Sequence, residues 1–167
     1  MKSEYTTYIK SPIGQIKLTA SNNVVSSILF VFKDTEMVPV NENEVLRQCK
    51  RELNEYFAGK RKVFRVPIYQ EGTNFQKSVW AELLNIPYGK TVSYNDLSIS
   101  LGNRKAIRAV GSANGKNQIS IIVPCHRVIG SDGSLTGYAG GLWRKEWLLK
   151  HEAKFSGKEI QLEMFKL

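Results

Sequence analysis

The chain has 167 residues, 42% of them hydrophobic, and 24 Lys and Arg against 15 Asp and Glu give a net charge of +9. That length holds one domain or two small ones, which excludes a large multidomain enzyme, and the apolar fraction excludes disorder along the whole chain. The charge is uneven. Residues 1–72 carry 11 bases and 8 acids, residues 73–167 carry 13 and 7, and no carboxylate occurs from Leu97 through Ser131. Arg104, Lys105, Arg108, Lys116 and Arg127 all fall in that interval. Such a field suits a polyanion, with nucleic acid the first candidate, or else it is a solvated basic face.

Cys49 and Cys125 are the two cysteines, and His126 and His151 the two histidines. No CxxC pair is present, so neither a zinc-finger framework nor a disulfide-dense scaffold is expected. Cys125, His126, His151 and Glu152 match no standard metal-ligand spacing. The start is not followed by an apolar signal segment, and no stretch approaches the ~20 apolar residues of a membrane span. A cytoplasmic protein with reduced thiols is expected.

In chain order, Tyr5–Lys10 and Gln15–Ala20 read as strands around the turn Ser11-Pro12-Ile13-Gly14. Val24–Phe32, rich in β-branched residues, adds a third strand after Asn22-Asn23, giving an antiparallel meander. A helix is predicted over about Glu44–Phe57, with Leu46, Cys49, Leu53, Tyr56 and Phe57 on one side and Gly59 ending it. Cys49 belongs to that apolar stripe and reads as buried filler. Val63–Ile68 reads as a strand, and Glu71-Gly72 as a boundary between domains 1–72 and 73–167.

Thr73 and Gln76 form a capping-box pattern ahead of a helix whose buried face is Phe75, Val79, Trp80, Leu83 and Leu84. Pro87-Tyr88-Gly89 stops it. Ser93 to Asp96 repeats the capping logic for a short helix to about Ser100. After Leu101-Gly102-Asn103, a helix over Arg104–Asn114 is predicted, with Ile107, Val110 and Ala113 inward. This pair is a helix-turn-helix candidate. Its second helix combines Arg104, Lys105 and Arg108 with the small Ala106, Ala109, Gly111 and Ser112, so it can approach a groove closely. Ile119–Val123 reads as a strand stopped by Pro124, and Leu142–Glu152 as the last clear helix, with Trp143 and Trp147 facing the core. Ala153–Leu167 has no firm assignment.

Cys125 follows the strand-stopping proline and precedes His126-Arg127, neighbours whose polar or positive character favours thiolate over thiol. A thiolate is a strong nucleophile. Adjacent residues on an extended chain point to opposite sides, so contact between Cys125 and His126 is not guaranteed.

Pro124-Cys125-His126-Arg127-Val128 resembles the motif of the methylated-DNA–protein-cysteine S-methyltransferases, the O6-alkylguanine DNA repair proteins. The segments Phe75–Trp80, Ile86–Gly89, Ser93-Tyr94, Arg108–Gly111, Asn117, Gly137-Tyr138 and Trp147–Glu152 follow in the family's order. The close resemblance spans 73–152, and the first third is similar more loosely. It implies an α/β N-terminal domain resembling ribonuclease H, followed by a mainly helical, winged-helix-like C-terminal domain whose helix-turn-helix enters the DNA minor groove. It implies repair of O6-alkylguanine, chiefly O6-methylguanine, in double-stranded DNA by a monomer, with no cofactor, no metal and no membrane partner.

The resemblance also implies roles. Cys125 accepts the alkyl group, His126 is its water-linked base, Glu152 orients the histidine, and Tyr94 assists extrusion and protonates the leaving guanine. Arg108 fills the stack vacated by the flipped base. Arg104, Lys105, Ala106, Ala109, Asn117 and Arg127 belong to the DNA-binding set, Asn117 bracing the turn before the active-site strand. Val128, Tyr138 and Ala139 join Tyr94 around the base. Gln118 and Ser120 stand where family members often carry prolines, and Ala139 where some carry serine. A helix-turn-helix binder without transfer chemistry and a Cys125–His126 hydrolase are the alternatives.

Overall fold

The computed structural model describes residues 3–157. They form two compact units: one runs up to Gln70 and takes in Gln118–Ser120, and the other comprises Glu71–Asn117 and the chain from Ile121 on.

In the first unit, β1 (Tyr5–Ser11), β2 (Gly14–Ala20) and β3 (Val25–Phe30) form an antiparallel meander in the order β1-β2-β3. Ile16, Leu18 and Ala20 alternate inward along β2 and meet Ile9 of β1 and Val25 and Ile28 of β3. Against them packs α1 (Glu44–Phe57). Asn43 caps α1 by accepting from the Leu46 amide, 3.1 Å. Leu46, Cys49, Leu53 and Tyr56 are fully buried, each apolar side chain contributing roughly 1.5–3 kcal/mol.

The predicted strand Val63–Ile68 does not form. Pro67 has no amide to donate, and Glu52 of α1 takes the Arg65 and Val66 amides at 2.8 and 3.1 Å. One parallel bridge, Val25 to Ile68, remains. Ile119–Val123 is not a strand either. Its start pairs with β3, where the Gln118 carbonyl accepts from Ile28 N at 2.8 Å and Ser120 N donates to Ile28 O at 3.1 Å. Ile121, at φ 73°, then turns the chain away. A β-branched residue in that region is strained, and the fully buried side chain holds it there.

The second unit begins with α2 (Asn74–Leu83), whose Thr73–Gln76 capping box is complete. Val79, Trp80 and Leu83 are buried, whereas Phe75 and Leu84, predicted inward, are exposed at the helix ends. Trp80 donates its indole N–H to the Ala113 carbonyl at 2.8 Å. β4 (Val92–Ser93) leads into α3 (Tyr94–Ser100), capped reciprocally by Ser93 and Asp96. The next helix, α4, spans Ile107–Gly115 and starts three residues later than predicted. Asn103 holds the preceding turn by accepting from Lys105 N on its side chain and from Ala106 N on its carbonyl, both at 3.1 Å. Ile107 is exposed rather than inward, while Val110 and Ala113 are buried.

Cys125–Arg127 form a single 3-10 turn, followed by β5 (Val128–Ile129), which pairs in parallel with β4. The final helix, α5, is longer than predicted and spans Leu142–Phe155. Trp143 is 54% exposed, not core, with the Arg144 guanidinium 4.5 Å from its ring centre. Trp147 stacks on His151 at 4.7 Å, and His151 lies against Phe155, giving that histidine a packing role. Residues 158–167 of the tail lie outside the described residues. No helix among the described residues is long and apolar enough to cross a membrane.

Candidate active site

Three pieces of the second unit hold the residues expected to react: the turn Cys125–Arg127, the last turns of α5, and Tyr94 at the start of α3. Asn117, directly after α4, ties the turn down. Its amide nitrogen donates to the Val123 carbonyl at 2.9 Å and reaches Cys125 Sγ at 3.3 Å. Asn114 adds a longer contact to the Cys125 carbonyl at 3.4 Å. Asn117 is therefore a buried brace for the sulfur, not a surface contact.

His126 is fully buried, and its Nε2 lies 2.7 Å from Glu152 Oε1. The tautomer follows from the other donors on that carboxylate. Arg127 Nε and Nη2 donate to Oε2 and Oε1 at 2.8 and 3.0 Å, and Gly89 N donates to Oε2 at 3.3 Å. Burial alone would raise the Glu152 carboxyl, but His126 and Arg127 outweigh it and hold it far below the usual range. An ionised carboxylate only accepts, so His126 Nε2 carries the hydrogen and Nδ1 keeps its lone pair. Nδ1 is buried without a hydrogen-bond partner among the described residues. Gly89 is required where it stands: its φ is +74°, and a Cβ there would lie 2.6 Å from Ser156 Cβ.

Cys125 is 6% exposed, and burial raises its thiol pKa against the opposing pull of Asn117 and Lys145. Burial likewise lowers the His126 pKa, with Glu152 opposing. The resting pair is thus a thiol beside a neutral imidazole. The sequence suggests that His126 and Arg127 favour thiolate over thiol, but burial works the other way here. One neighbour is uncharged, and the other is neutralised by Glu152.

Lys145 was not legible from the sequence. It is fully buried on α5, and its Nζ donates to the Thr136 carbonyl at 2.9 Å. Tyr94 Oη donates to the same carbonyl at 3.1 Å, and the Lys145 ammonium lies 5.8 Å from the Tyr94 ring centre. Burial pushes the Lys145 pKa down to about 8, opposed by Cys125. A lysine in a helix with charged neighbours carries no sequence signal of burial. Burial also raises the Tyr94 pKa, so the phenol keeps its proton.

Of the predicted DNA-facing residues, Arg104, Lys105, Arg108 and Ala109 are exposed at or just before the start of α4, and Ala106 is buried. Arg127 is a correction: its guanidinium points inward to Glu152 and to the Ile86 carbonyl at 2.6 Å, so it is not on the basic face. Val128 is fully buried in β5, Tyr138 is half-buried, and Ala139 is exposed in the loop closed by the Gly141 N–H to Tyr138 O bond of 2.9 Å.

A helical unit that carries an exposed cationic helix and, in one buried turn, a thiol next in sequence to an imidazole–carboxylate pair defines a DNA-acting group-transfer protein. The comparisons with known proteins agree. Residues 74–154 match the 6-O-methylguanine DNA methyltransferase DNA-binding domain, and residues 4–70 match the ribonuclease-like domain of the same family. The chain belongs to the 6-O-methylguanine DNA methyltransferase family. It is 47% identical over 152 residues to the methylated-DNA–protein-cysteine methyltransferase of Methanosarcina barkeri, covering 89% of this chain and 96% of that protein. The constitutive Bacillus subtilis protein of that name is 40% identical over 162 residues, covering 93% and 98%. The crystal structure of Mycobacterium tuberculosis O6-methylguanine methyltransferase superposes with a TM-score of 0.85 at 40% identity, covering 96% and 99%. A structure of that organism's protein in complex with DNA gives 0.82 at 42% identity, covering 89% and 92%.

Proposed function

We infer that this protein repairs O6-alkylguanine, chiefly O6-methylguanine, in double-stranded DNA by irreversible transfer of the alkyl group to its own Cys125. The observation that carries the reading is one buried turn in which Asn117 reaches Cys125 Sγ and the next residue, His126, pairs with Glu152, set within a family DNA-binding domain. The target carbon is unreachable inside a duplex, so the nucleotide is flipped out. Exposed Arg108 takes its place in the stack, Arg104 and Lys105 meet phosphate, and the small Ala109 lets α4 lie in the minor groove. Tyr138 and Ala139 close over the base beside Tyr94 and Val128.

As the sulfur attacks, its proton passes through a water to His126 Nδ1, and Glu152 stabilises the imidazolium that forms. The S–C bond forms, the C–O bond breaks, and the electron pair returns to guanine O6. Tyr94 gives its proton to guanine N3 and recovers one from solvent after the base leaves, as His126 releases its own. The buried Lys145 ammonium offsets the negative charge developing on sulfur and on the Tyr94 oxygen. The product is a thioether with no acyl carbon for water to attack, so each molecule acts once and needs no cofactor.

Every group of this relay comes from one chain, so a monomer suffices. Both cysteines are free, which suits the reducing cytoplasm.

The test is lesion counting. Duplex bearing O6-methylguanine is incubated with increasing protein, and restored guanine is measured after hydrolysis. One guanine restored per protein molecule is expected, and none with Cys125→Ser. Turnover beyond one, or repair by the serine variant, would exclude the reading.

A further inference from the structure

The motif residue Arg127 is left unused by the relay just described, yet its guanidinium is among the most engaged groups in the unit. It grips both oxygens of Glu152 and is anchored from behind by the Ile86 carbonyl. His126 shares that carboxylate through Nε2. One carboxylate therefore serves a cation and an imidazole together, all three buried. A buried carboxylate serving His126 alone would draw a proton onto the imidazole and hold it there as an ion pair. A base that already carries its proton cannot accept one from Cys125.

We propose that Arg127 is a positioning residue of the relay: it keeps Glu152 an ionised acceptor that fixes His126 as the Nε2–H tautomer, and it cancels enough of that charge to leave the imidazole neutral until Cys125 reacts. The groups facing His126 agree in sign. From α5 come Glu152, which favours the protonated ring, and Lys145, which opposes it. From its own turn comes Arg127, which opposes it as well, beside the neutral Cys125. Tyr88, whose ring lies 5.7 Å from the guanidinium, has its hydroxyl pKa pushed up to about 12 and stays uncharged. α2, also packed on the turn, buries only Val79, Trp80 and Leu83. Removing Arg127 thus leaves Glu152 as the dominant charge at the ring, and a nearby unopposed charge moves a side-chain pKa by about one to three units.

The inference rests on the alkyl-transfer reading, and its test separates the two. Single-turnover transfer from O6-methylguanine duplex is followed between pH 5 and 9 for the wild type, Arg127→Met and Arg127→Lys, and the His126 ring is titrated by NMR in each. In Arg127→Met the acid limb of the rate profile and the His126 midpoint should both rise by about one unit or more. Well below both midpoints a one-unit rise is a loss of about tenfold, and well above both midpoints the loss disappears. Arg127→Lys keeps the charge but cannot grip both oxygens, so its shift should have the same sign and be smaller. A uniform loss of rate at all pH values, with the His126 midpoint unmoved, would show a merely structural arginine and overturn the proposal. If Arg127→Met does not fold, the lysine variant decides: an unmoved midpoint there overturns it equally. Absence of transfer by the wild type would instead remove the underlying reading.

Discussion

Replacing Lys145 with methionine is expected to make the protein more stable and less active at once. The lysine is fully buried, and its pKa falls from 10.5 to about 8. At about 1.4 kcal/mol per pH unit, carrying the charge costs the fold about 3 kcal/mol at any pH below 8. Methionine fills a similar volume without charge. It loses the hydrogen bond to the Thr136 carbonyl, worth about 1.5 kcal/mol, but that carbonyl keeps Tyr94 Oη and is not orphaned. The net is a gain of roughly 1–2 kcal/mol, or a rise in Tm of about 4 °C at pH 7 for a chain of this size. The sign has a pH signature. The wild type recovers stability as pH rises from about 8 to 10.5, where folded Lys145 is neutral and the unfolded residue still binds its proton, so the gap should narrow there. Meanwhile transfer to Cys125 should slow by about 10²-fold, the usual cost of removing one preorganised electrostatic partner. Thermal melts at pH 7 and 10 and single-turnover kinetics on lesion duplex measure both. A methionine variant with a lowered Tm, or with the wild-type rate, would refute this reasoning.

Arg108→Ala should slow transfer from duplex about tenfold or more while leaving transfer from the free O6-methylguanine base unchanged, since the exposed arginine acts only on the stacked substrate; equal losses on both substrates would remove the extrusion role. Stability should fall on acidification. The folded His126 and Glu152 pKa values both lie below their unfolded ones, so His126 withdraws its contribution below about pH 6.5 and Glu152 below about pH 4.3. Urea midpoints from pH 8 to 3.5 measure this, and the part below about pH 4.3 should flatten in Glu152→Gln. Gly89→Ala should cost about 1–3 kcal/mol in urea unfolding, because alanine must adopt a positive φ there and its Cβ meets Ser156.

The strands, α1 and the two capping boxes were readable because each depends on local pattern: alternation along β2, an apolar stripe in α1, and Thr73 and Ser93 three residues before a partner. What was misread depends on distant groups. Val63–Ile68 has strand composition, but Glu52 claims its amides from another element. The start of α4 was placed early because the Asn103 turn resembles helix in residue type. Trp143 was assigned to the core by its spacing from Trp147, yet it sits at the exposed first turn of α5. At the site, the motif points to Cys125, His126, Glu152 and Tyr94, and the fold pairs His126 with Glu152 and buries Cys125 in the same single turn as His126. Arg127 was assigned by charge to the DNA face, since only the fold reveals that a carboxylate 25 residues away claims it. Lys145 escaped for the same reason in reverse: charge in an amphipathic helix reads as solvated, and its burial is decided by Thr136 and Tyr94.

The central claim is that Cys125 is the acceptor, and the mass of the intact protein tests it most directly. The protein is mixed with a slight excess of duplex carrying one O6-methylguanine, weighed intact, then digested and sequenced by fragmentation. Each molecule should gain one methylene, carried entirely on Cys125. Cys49, fully buried in α1 with its thiol pKa pushed up to about 12, should carry none. An unchanged mass, or a methylene on any residue other than Cys125, would contradict the account.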